Sequence, residues 1–350
     1  MRAPSHFSLV CILSCLASPL LAQERPVFEI LVERILLDAY VTDTTGEPLD
    51  DLRPSNFVVT IDGARAEVET VEFIDMTRPR EIDEELVHPE SELATVRGRL
   101  LVYFFQTDIQ RHSSRVPGHM AMIHEAVEFL KTLQPEDRVA VVQFDSHLKV
   151  RQDFTTDRER IETAIRSTLR MEEPPRPEKV PSPALMTRLD PDEMKKAASA
   201  EKGLFLLGNA LIPVPGPKSL ILFGYGLGRF GSSGVRMTSD YLIARRALEK
   251  SRTSVFSLDV SRADYHSLEV GLKQASKDTG GFYAKTHNFP KFAMTRLERT
   301  LSARYEIVVK RPPDLPRGIH QVEIRIIGRN QEVEVLARET WEDEYRASDN

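Results

Sequence analysis

A polar cluster directly follows an apolar run in the stretch LLVYFFQTDIQRHSS, residues 100–114. The apolar run is typical of a buried strand, and the cluster begins where that strand would end. Gln106, Asp108 and Gln110 would offer side-chain oxygen atoms to a cation at this point. A Mg²⁺ ion prefers about six oxygen ligands, with at least one carboxylate to offset its charge. Asp108 is the only carboxylate of the three, so this loop is electrostatically poor as a cation site.

Four histidines at positions 112, 119, 124 and 147 do not form a metal-binding pattern. His119 and His124 are separated by five positions, whereas histidine pairs that bind a metal from one helical face favour a spacing of four. We expect these histidines to be solvated or to act as caps. No Ser/His/Asp or Glu/Glu arrangement can be assembled from the sequence, so we do not expect an enzyme.

A glycine-rich stretch at 224–231 matches two functional motifs incompletely. GYGLG has the G-x-S-x-G frame of a hydrolase, but Gly226 stands where the nucleophile should be. GLGRFG matches the G-x-G-x-x-G of dinucleotide-binding folds, and Asp259 ends the next strand. The following helix is predicted to begin only near Ser239, so the third glycine would not open it. The favoured interpretation is a flexible glycine loop at the edge of a sheet.

Apolar strands alternate with amphipathic helices between residues 99 and 303. The runs RLLVYFF and RVAVVQF indicate strands buried on both faces, and KVRQDF could pair back on the second. Ile123, Ala126 and Val127 belong to a helical stripe, and a later helix is predicted to end at Gly280. The alternation predicts an α/β domain with a doubly wound, mostly parallel sheet.

Strand patterns occupy both flanks of this domain, at 23–75 and 304–342. Asp62-Gly63 is a strong hairpin turn in the first segment. In the second, residues 322–326 alternate between apolar and polar side chains, and residues 333–335 are predicted to pair with them as a hairpin. Neither segment is large enough to close a core alone. We therefore expect the two to pack together as a small β-sandwich into which the α/β domain is inserted.

Three segments lie outside these elements. Residues 76–98 are charged and contain two prolines, which predicts a surface linker. Residues 172–202 contain six prolines and charges of both signs, which predicts a flexible insertion with a short helix late in it. Residues 343–350 form a tail.

The first 22 residues have the character of a signal peptide. The apolar stretch from 7 to 22 is broken by Pro19, is too short for a comfortable membrane span and ends in a sequence that suits signal peptidase. An N-terminal anchor helix is the alternative, which Pro19 disfavours. Cys11 and Cys15 would be removed with residues 1–22, leaving a mature chain without a disulfide. We expect a secreted or periplasmic protein.

Composition excludes some partners. The chain has 350 residues, a net charge of −6 and 41% hydrophobic residues, which is enough for more than one compact unit. Its charges are mixed in sign without a long basic block, so we do not expect nucleic acid as a partner. No later apolar run approaches the roughly 20 residues of a membrane span, so we expect none in the mature chain.

The order of several motifs resembles a von Willebrand factor A-type domain protein of the bacterial secreted subgroup. In that subgroup a segment V-T-D-x-x-G-x-P-(V/L)-x-x-L precedes the A domain, and residues 41–52 here are VTDTTGEPLDDL, followed by Asn56-Phe57. EDRVAVVQFDSHLKVRQDFTTDRERIETAI, PGPKSLILFGYG and LKQASKDTGGFY also match. The resemblance covers nearly all of the mature chain and implies an A-type α/β domain followed by a short β tail.

The resemblance also implies a metal site, but most of its ligands are missing here. The family uses Asp-x-Ser-x-Ser after the first strand, a threonine from a second loop and an aspartate after the fourth strand. The first motif falls on Gln106, Asp108 and Gln110, and the downstream carboxylate position falls on Tyr225. The threonine region, EKGLFLLGNAL, contains no threonine. We expect a degenerate site that binds neither a metal nor another cofactor.

Protein binding without a bridging metal is the function that these patterns favour. Loops at the carboxyl ends of the strands form the usual ligand crevice of open α/β sheets. The partner-binding rim is predicted to consist of Gln106, Asp108, Gln110, Tyr225, Gly226, Arg229 and Phe230. The alternative is a structural scaffold or envelope-assembly protein that docks through the β-sandwich. Exposed aromatic side chains around the rim would favour the first function, and an exposed apolar patch on the sandwich the second.

Overall fold

The computed structural model describes residues 33–78, 97–107, 112–170, 172–175, 183–232 and 234–343. The predicted signal peptide, most of the linker, Asp108, Gln110 and all of the tail but its first residue lie outside these ranges.

The described chain alternates between β-rich flanks and a central α/β region. Its strands are β1 (Arg34–Asp43), β2 (Phe57–Ile61), β3 (Ala64–Ala66), β4 (Val68–Asp75), β5 (Leu100–Gln106), β6 (Arg138–Phe144), β7 (Leu148–Thr155), β8 (Lys218–Gly224), β9 (Arg229–Gly231), β10 (Gly234–Arg236), β11 (Thr253–Asp259), β12 (Tyr283–Lys285), β13 (Ala303–Lys310), β14 (Ile319–Ile326), β15 (Val333–Ala337) and β16 (Thr340–Glu342). Its α-helices are α1 (His112–Phe129), α2 (Arg158–Ser167), α3 (Pro191–Lys196), α4 (Ala200–Leu211), α5 (Ser239–Lys250), α6 (Glu269–Thr279) and α7 (Pro290–Thr300).

The central sheet has six strands in the order β12-β11-β8-β5-β6-β7. Neighbouring strands are parallel except β7, which pairs back antiparallel on β6 as the sequence predicted. Every residue of β5 and of β8 is buried, because a parallel sheet is covered on both faces and its strands are apolar throughout. The predicted doubly wound α/β fold is confirmed.

Two layers of helices cover this sheet. Helices α1, α2 and α7 bury one apolar side against the first face, where Met122, Ile165 and Leu297 are enclosed. Helices α3 to α6 cover the second face, where Leu204 and Leu272 are enclosed. The order in which strands are added to the sheet reverses at β5. β6 and β7 lie on one side of β5, and β8, β11 and β12 lie on the other.

The two flanking segments form the predicted β-sandwich. One sheet has the order β15-β1-β13-β4 and the other β16-β14-β2-β3, so each sheet contains strands from both ends of the chain. Leu37, Val59 and Ile307 are fully buried between the sheets. Neither segment closes this core alone, because each sheet would lose its inner neighbours.

An ion-pair network joins the sandwich to the α/β domain. Arg252, just after α5, donates to Asp38 of β1 at 2.7 and 2.9 Å and to Glu306 of β13 at 2.9 Å. Arg304 donates at 2.7 Å to Asp38 Oδ1, which also accepts the 2.7 Å hydrogen bond from Arg252. Burial would raise the pKa of Asp38, but the hydrogen bond and charge of Arg252, with that of Arg304, outweigh it and hold this pKa below its usual value.

One sequence prediction about strand pairing is wrong. β15 pairs not with β14 but with β1 in the opposite sheet, with Val335 opposite Val41. Alternating apolar residues satisfy either sheet, so the pattern could not choose between them. Helix α5 begins at Ser239 as predicted, and the Thr238 hydroxyl before it accepts the N–H of Tyr241.

In the predicted insertion over 172–202, the expected short helix is present as α3, but residues 183–202 pack on the core instead of forming a flexible segment. Leu185 is fully buried in the second core face, and α3 buries Met194. The Asp153 carboxylate accepts the backbone N–H groups of Leu185 at 2.8 Å and of Met186 at 2.9 Å. Proline and charge dominate the composition of this segment, but a few apolar side chains are enough to dock it.

Among the helices that the structure describes, none is long and apolar enough to cross a bilayer.

Candidate functional site

Five parallel strands, β5, β6, β8, β11 and β12, end at one edge of the central sheet. We call the loops that follow them the carboxyl edge. In open α/β sheets a ligand crevice forms where neighbouring connections leave toward opposite faces, which here is the gap between β5 and β8. The sequence predicted the functional rim at this position.

The Gln106 side chain spans the gap between the ends of β5 and β8. Gln106 is the last residue of β5, it is buried, and its amide nitrogen donates to the Gly226 carbonyl at 3.0 Å. Its amide oxygen accepts the Tyr225 N–H at 3.1 Å. An amide can donate and accept at once, whereas a carboxylate would set an oxygen against the Gly226 carbonyl. Gln106 therefore links the end of β5 directly to the loop that follows β8.

The Leu268 side chain packs against Gly226 in the loop that follows β8. A Cβ atom built on Gly226 would lie 2.3 Å from the Leu268 Cβ, so only glycine allows this approach. A Cβ atom on Gly271 would similarly lie 2.2 Å from the Leu227 carbonyl oxygen. Helix α6 and the loop before it therefore rest closely on the loop that follows β8.

Glu201 supports the next part of that loop. It lies in the first turn of α4, is buried, and accepts the Gly228 N–H at 2.6 Å. Gly228 has φ +88, a conformation that other residues rarely adopt. The sequence analysis missed Glu201; its only signal was a carboxylate at the start of an otherwise apolar helix.

Large aromatic side chains surround this sealed centre. Phe230 is 64% exposed on the β9–β10 hairpin, and Tyr265 is 70% exposed in the loop between β11 and α6. Phe289 and Phe292, at the start of α7, are 73% and 74% exposed. Within the described ranges these four are all of the exposed aromatic side chains, and all four follow strands that end at the carboxyl edge.

The predicted rim residues thus separate into two groups. Gln106, Tyr225 and Gly226 meet in the buried linkage between the loops, where little of them is accessible to a partner. Arg229 and Phe230 are exposed on the hairpin. Tyr265, Phe289 and Phe292 were not predicted from the sequence; their position after apolar strands was the available signal.

A second polar cluster, formed by Asp259, His266 and Glu269, was also missed. Their potential ligand atoms lie within 4.8 Å of one another. The Asp259 Oδ2 atom already contacts His266 Nε2 at 2.7 Å and accepts from the Tyr283 hydroxyl at 2.7 Å.

The charges around Glu269 oppose a metal in this cluster. Lys273 and Lys285 place ammonium groups 2.7 and 3.1 Å from its carboxylate. Burial would raise the pKa of Glu269, but the hydrogen bonds from Lys273 and Lys285 outweigh it and lower this pKa. A cation would have to displace two positive charges, so these contacts favour an internal anchor that holds the loop of Tyr265 in place.

Comparisons with known proteins concern the fold. No protein-family model and no curated protein matches the chain. A von Willebrand factor type A structure from Catenulispora acidiphila is 10% identical with a TM-score of 0.41, over 89% of this chain and 75% of its own. The von Willebrand factor domain of the type V pili tip protein Mfa5 from Porphyromonas gingivalis is 13% identical with a TM-score of 0.39, over 58% of this chain and 94% of its own.

A third solved structure is the aerotolerance-related membrane protein from Bacteroides fragilis. It is 11% identical with a TM-score of 0.37, over 58% of this chain and 98% of its own. The strands and helices of the α/β domain are arranged as in the doubly wound fold predicted from the sequence, and these likenesses concern the fold alone.

Proposed function

We propose that this chain is an exported, non-enzymatic protein-binding module that holds its partner on the carboxyl edge without a bridging metal. The observation that carries this proposal is the placement of the exposed aromatic side chains: all of those in the described ranges lie on the carboxyl edge. Aromatic residues bury much apolar surface at low entropic cost and dominate the energetics of protein interfaces.

The metal-free part of the proposal is supported by the Gln106 linkage. In a metal-dependent site the cation joins the loops and the partner. Here the amide of Gln106 satisfies the loop that follows β8, and Leu268 covers it. Export is supported by the signal-peptide character of residues 1–22.

A pull-down comparison tests which surface binds the partner. We expect the immobilised mature chain to retain an envelope protein of the source organism, and the variant Phe230→Ser/Phe289→Ser/Phe292→Ser to retain at least about tenfold less of it, since each exposed ring contributes about 1 kcal/mol or more to an interface. Mass spectrometry identifies the retained protein, and circular dichroism checks the fold.

The matched control replaces exposed apolar residues of the sandwich. Ile319 and Ile327 are 40% and 47% exposed there, and Ile319→Ser/Ile327→Ser should retain the partner as the wild type does. If the sandwich variant loses the partner and the edge variant keeps it, the scaffold alternative replaces this proposal. A wild-type chain that retains no protein beyond the level of the edge variant also contradicts it.

A further inference from the structure

Three neighbouring connections of the carboxyl edge together carry a charge opposite to that of the whole chain. The connections β8–α5 and β11–α6, together with residues 286–292 after β12, contain four arginine or lysine residues and one carboxylate, Asp264. The chain as a whole has a net charge of −6. This local reversal of sign indicates a surface arranged for an anionic partner.

Each of the three connections pairs an exposed cation with an exposed ring. Arg229 precedes Phe230 on the hairpin, Arg262 and Tyr265 share the next loop, and Lys291 lies between Phe289 and Phe292. In the part of the chain that the structure describes, Arg229, Arg262 and Lys291 form no ion pair. A guanidinium or ammonium group that becomes covered by a partner needs an anion to offset its lost hydration.

The three connections are also held against one another. Leu268 packs on Gly226, which joins the loop of Tyr265 to the start of the hairpin loop. The Thr286 hydroxyl donates to the Asp259 carbonyl at 2.7 Å, which joins the connection after β12 to the end of β11. A surface that is fixed in this way loses little conformational entropy on binding and suits a defined epitope.

We propose that the carboxyl edge recognises an acidic protein segment in which carboxylates stand next to apolar side chains. This inference rests on the proposed function and adds the chemical class of the partner. The carboxylates meet Arg229, Arg262 and Lys291, and the apolar side chains pack on the neighbouring rings. Such pairing of opposite charges chiefly determines which partner is selected and how fast it binds.

Selection from an unbiased peptide library tests this inference without requiring the natural partner. Random 12-residue peptides displayed on phage are panned on the immobilised mature chain. We expect the enriched peptides to contain more Asp and Glu, together with apolar residues, than the unselected library. Their binding should weaken as the salt concentration rises, because exposed charges are screened.

Charge reversal on the edge provides the decisive comparison. An enriched peptide should bind Arg229→Glu/Arg262→Glu/Lys291→Glu at least about tenfold more weakly than the wild type. The matched control, Arg65→Glu/Lys195→Glu/Lys250→Glu, changes the net charge equally at exposed residues away from this edge and should bind as the wild type does.

Three results would overturn the inference. The enriched peptides could lack an excess of acidic residues, or they could bind the edge reversal as tightly as the wild type. The library could also yield no enriched peptide while phosphatidylglycerol vesicles bind the wild type and not the edge reversal, which would assign the surface to a membrane. The serine variants of the pull-down leave the net charge unchanged. Loss of the partner in that pull-down would therefore still support protein binding at this edge, even if the peptide comparison contradicted an acidic partner.

Discussion

At the scale of single residues, Gln106 decides what the carboxyl edge can do. Its side chain makes one donated and one accepted hydrogen bond to the loop after β8. Replacing it leaves a buried N–H and a buried carbonyl without their partner, and the loss of such a buried partner costs about 1–3 kcal/mol in total where the site relaxes around it. The residue is therefore a structural link at a position that the sequence placed in the partner-binding rim.

The first prediction concerns this link. Gln106→Ala should lower the free energy of unfolding by about 1–3 kcal/mol in urea titrations, whereas the exposed Gln321→Ala should change it by less than about 0.5 kcal/mol. Gln106→Asp should be destabilised as well, and its melting temperature should not rise with excess Mg²⁺, Mn²⁺ or Ca²⁺, because the other ligands of the family site are absent. A clear rise in the melting temperature with Mg²⁺ would refute the metal-free account.

At the scale of elements, a single carboxylate anchors the segment 183–190 in addition to its buried apolar side chains. Asp153 lies near the end of β7 and is buried. Its two oxygens accept the N–H groups of Phe154 at 2.7 Å, Leu185 at 2.8 Å and Met186 at 2.9 Å. Two of these three backbone donors belong to the segment, so the anion holds it against the core.

The second prediction follows from this anchor. Asp153→Ala should destabilise the protein by about 2–3 kcal/mol and should speed thermolysin cleavage at Leu185, Met186 or Leu189 under native conditions. Limited proteolysis followed by mass spectrometry measures the cleavage sites. Glu332→Ala, at an exposed position, is the control and should leave both properties unchanged. Equal cleavage of the two variants would show that the segment is held by packing alone.

At the scale of the whole molecule, the sandwich is closed by contacts between residues far apart in sequence. His320 is buried in β14, with Nδ1 2.8 Å from Asp62 and Nε2 3.0 Å from Asp343. Arg311 donates to Asp343 at 3.0 Å. Burial would raise the pKa of Asp343, but the hydrogen bonds from Arg311 and His320 outweigh it and lower the pKa to about 2.

The third prediction is a pH dependence of this closure. A carboxyl group with a folded-state pKa below its unfolded value stabilises the protein above the unfolded value, near pH 4, and loses that contribution as the pH falls toward 2. Asp343→Asn should therefore be less stable than the wild type by about 1–2 kcal/mol at pH 7, and the difference should shrink toward pH 2. Urea titrations at several pH values measure it. The exposed Asp314→Asn should show no such difference, and a gap for Asp343→Asn that stays constant with pH would contradict the assignment.

The sequence by itself determined the fold class and which segments form strands, helices and turns. Continuous apolar strands such as β5 can only be buried on both faces, and the helical stripe of α1 must cover one of them. Asp62-Gly63 determined the hairpin between β2 and β3, because both residues adopt positive φ there. These are local consequences of side-chain polarity and backbone sterics, so they can be inferred without knowing the partners of a strand.

Only the tertiary structure decided which surface a partner could use. Gln106 and Tyr225 are polar residues in a predicted loop, and nothing in their types distinguishes a buried linkage from an accessible rim. That distinction depends on Leu268 and Gly226, which are 42 positions apart in the chain and meet only when α6 packs on the loop after β8. The same holds for the exposed rings: a phenylalanine in a loop is buried or free according to what folds over it, and that is a property of long-range packing rather than of sequence pattern.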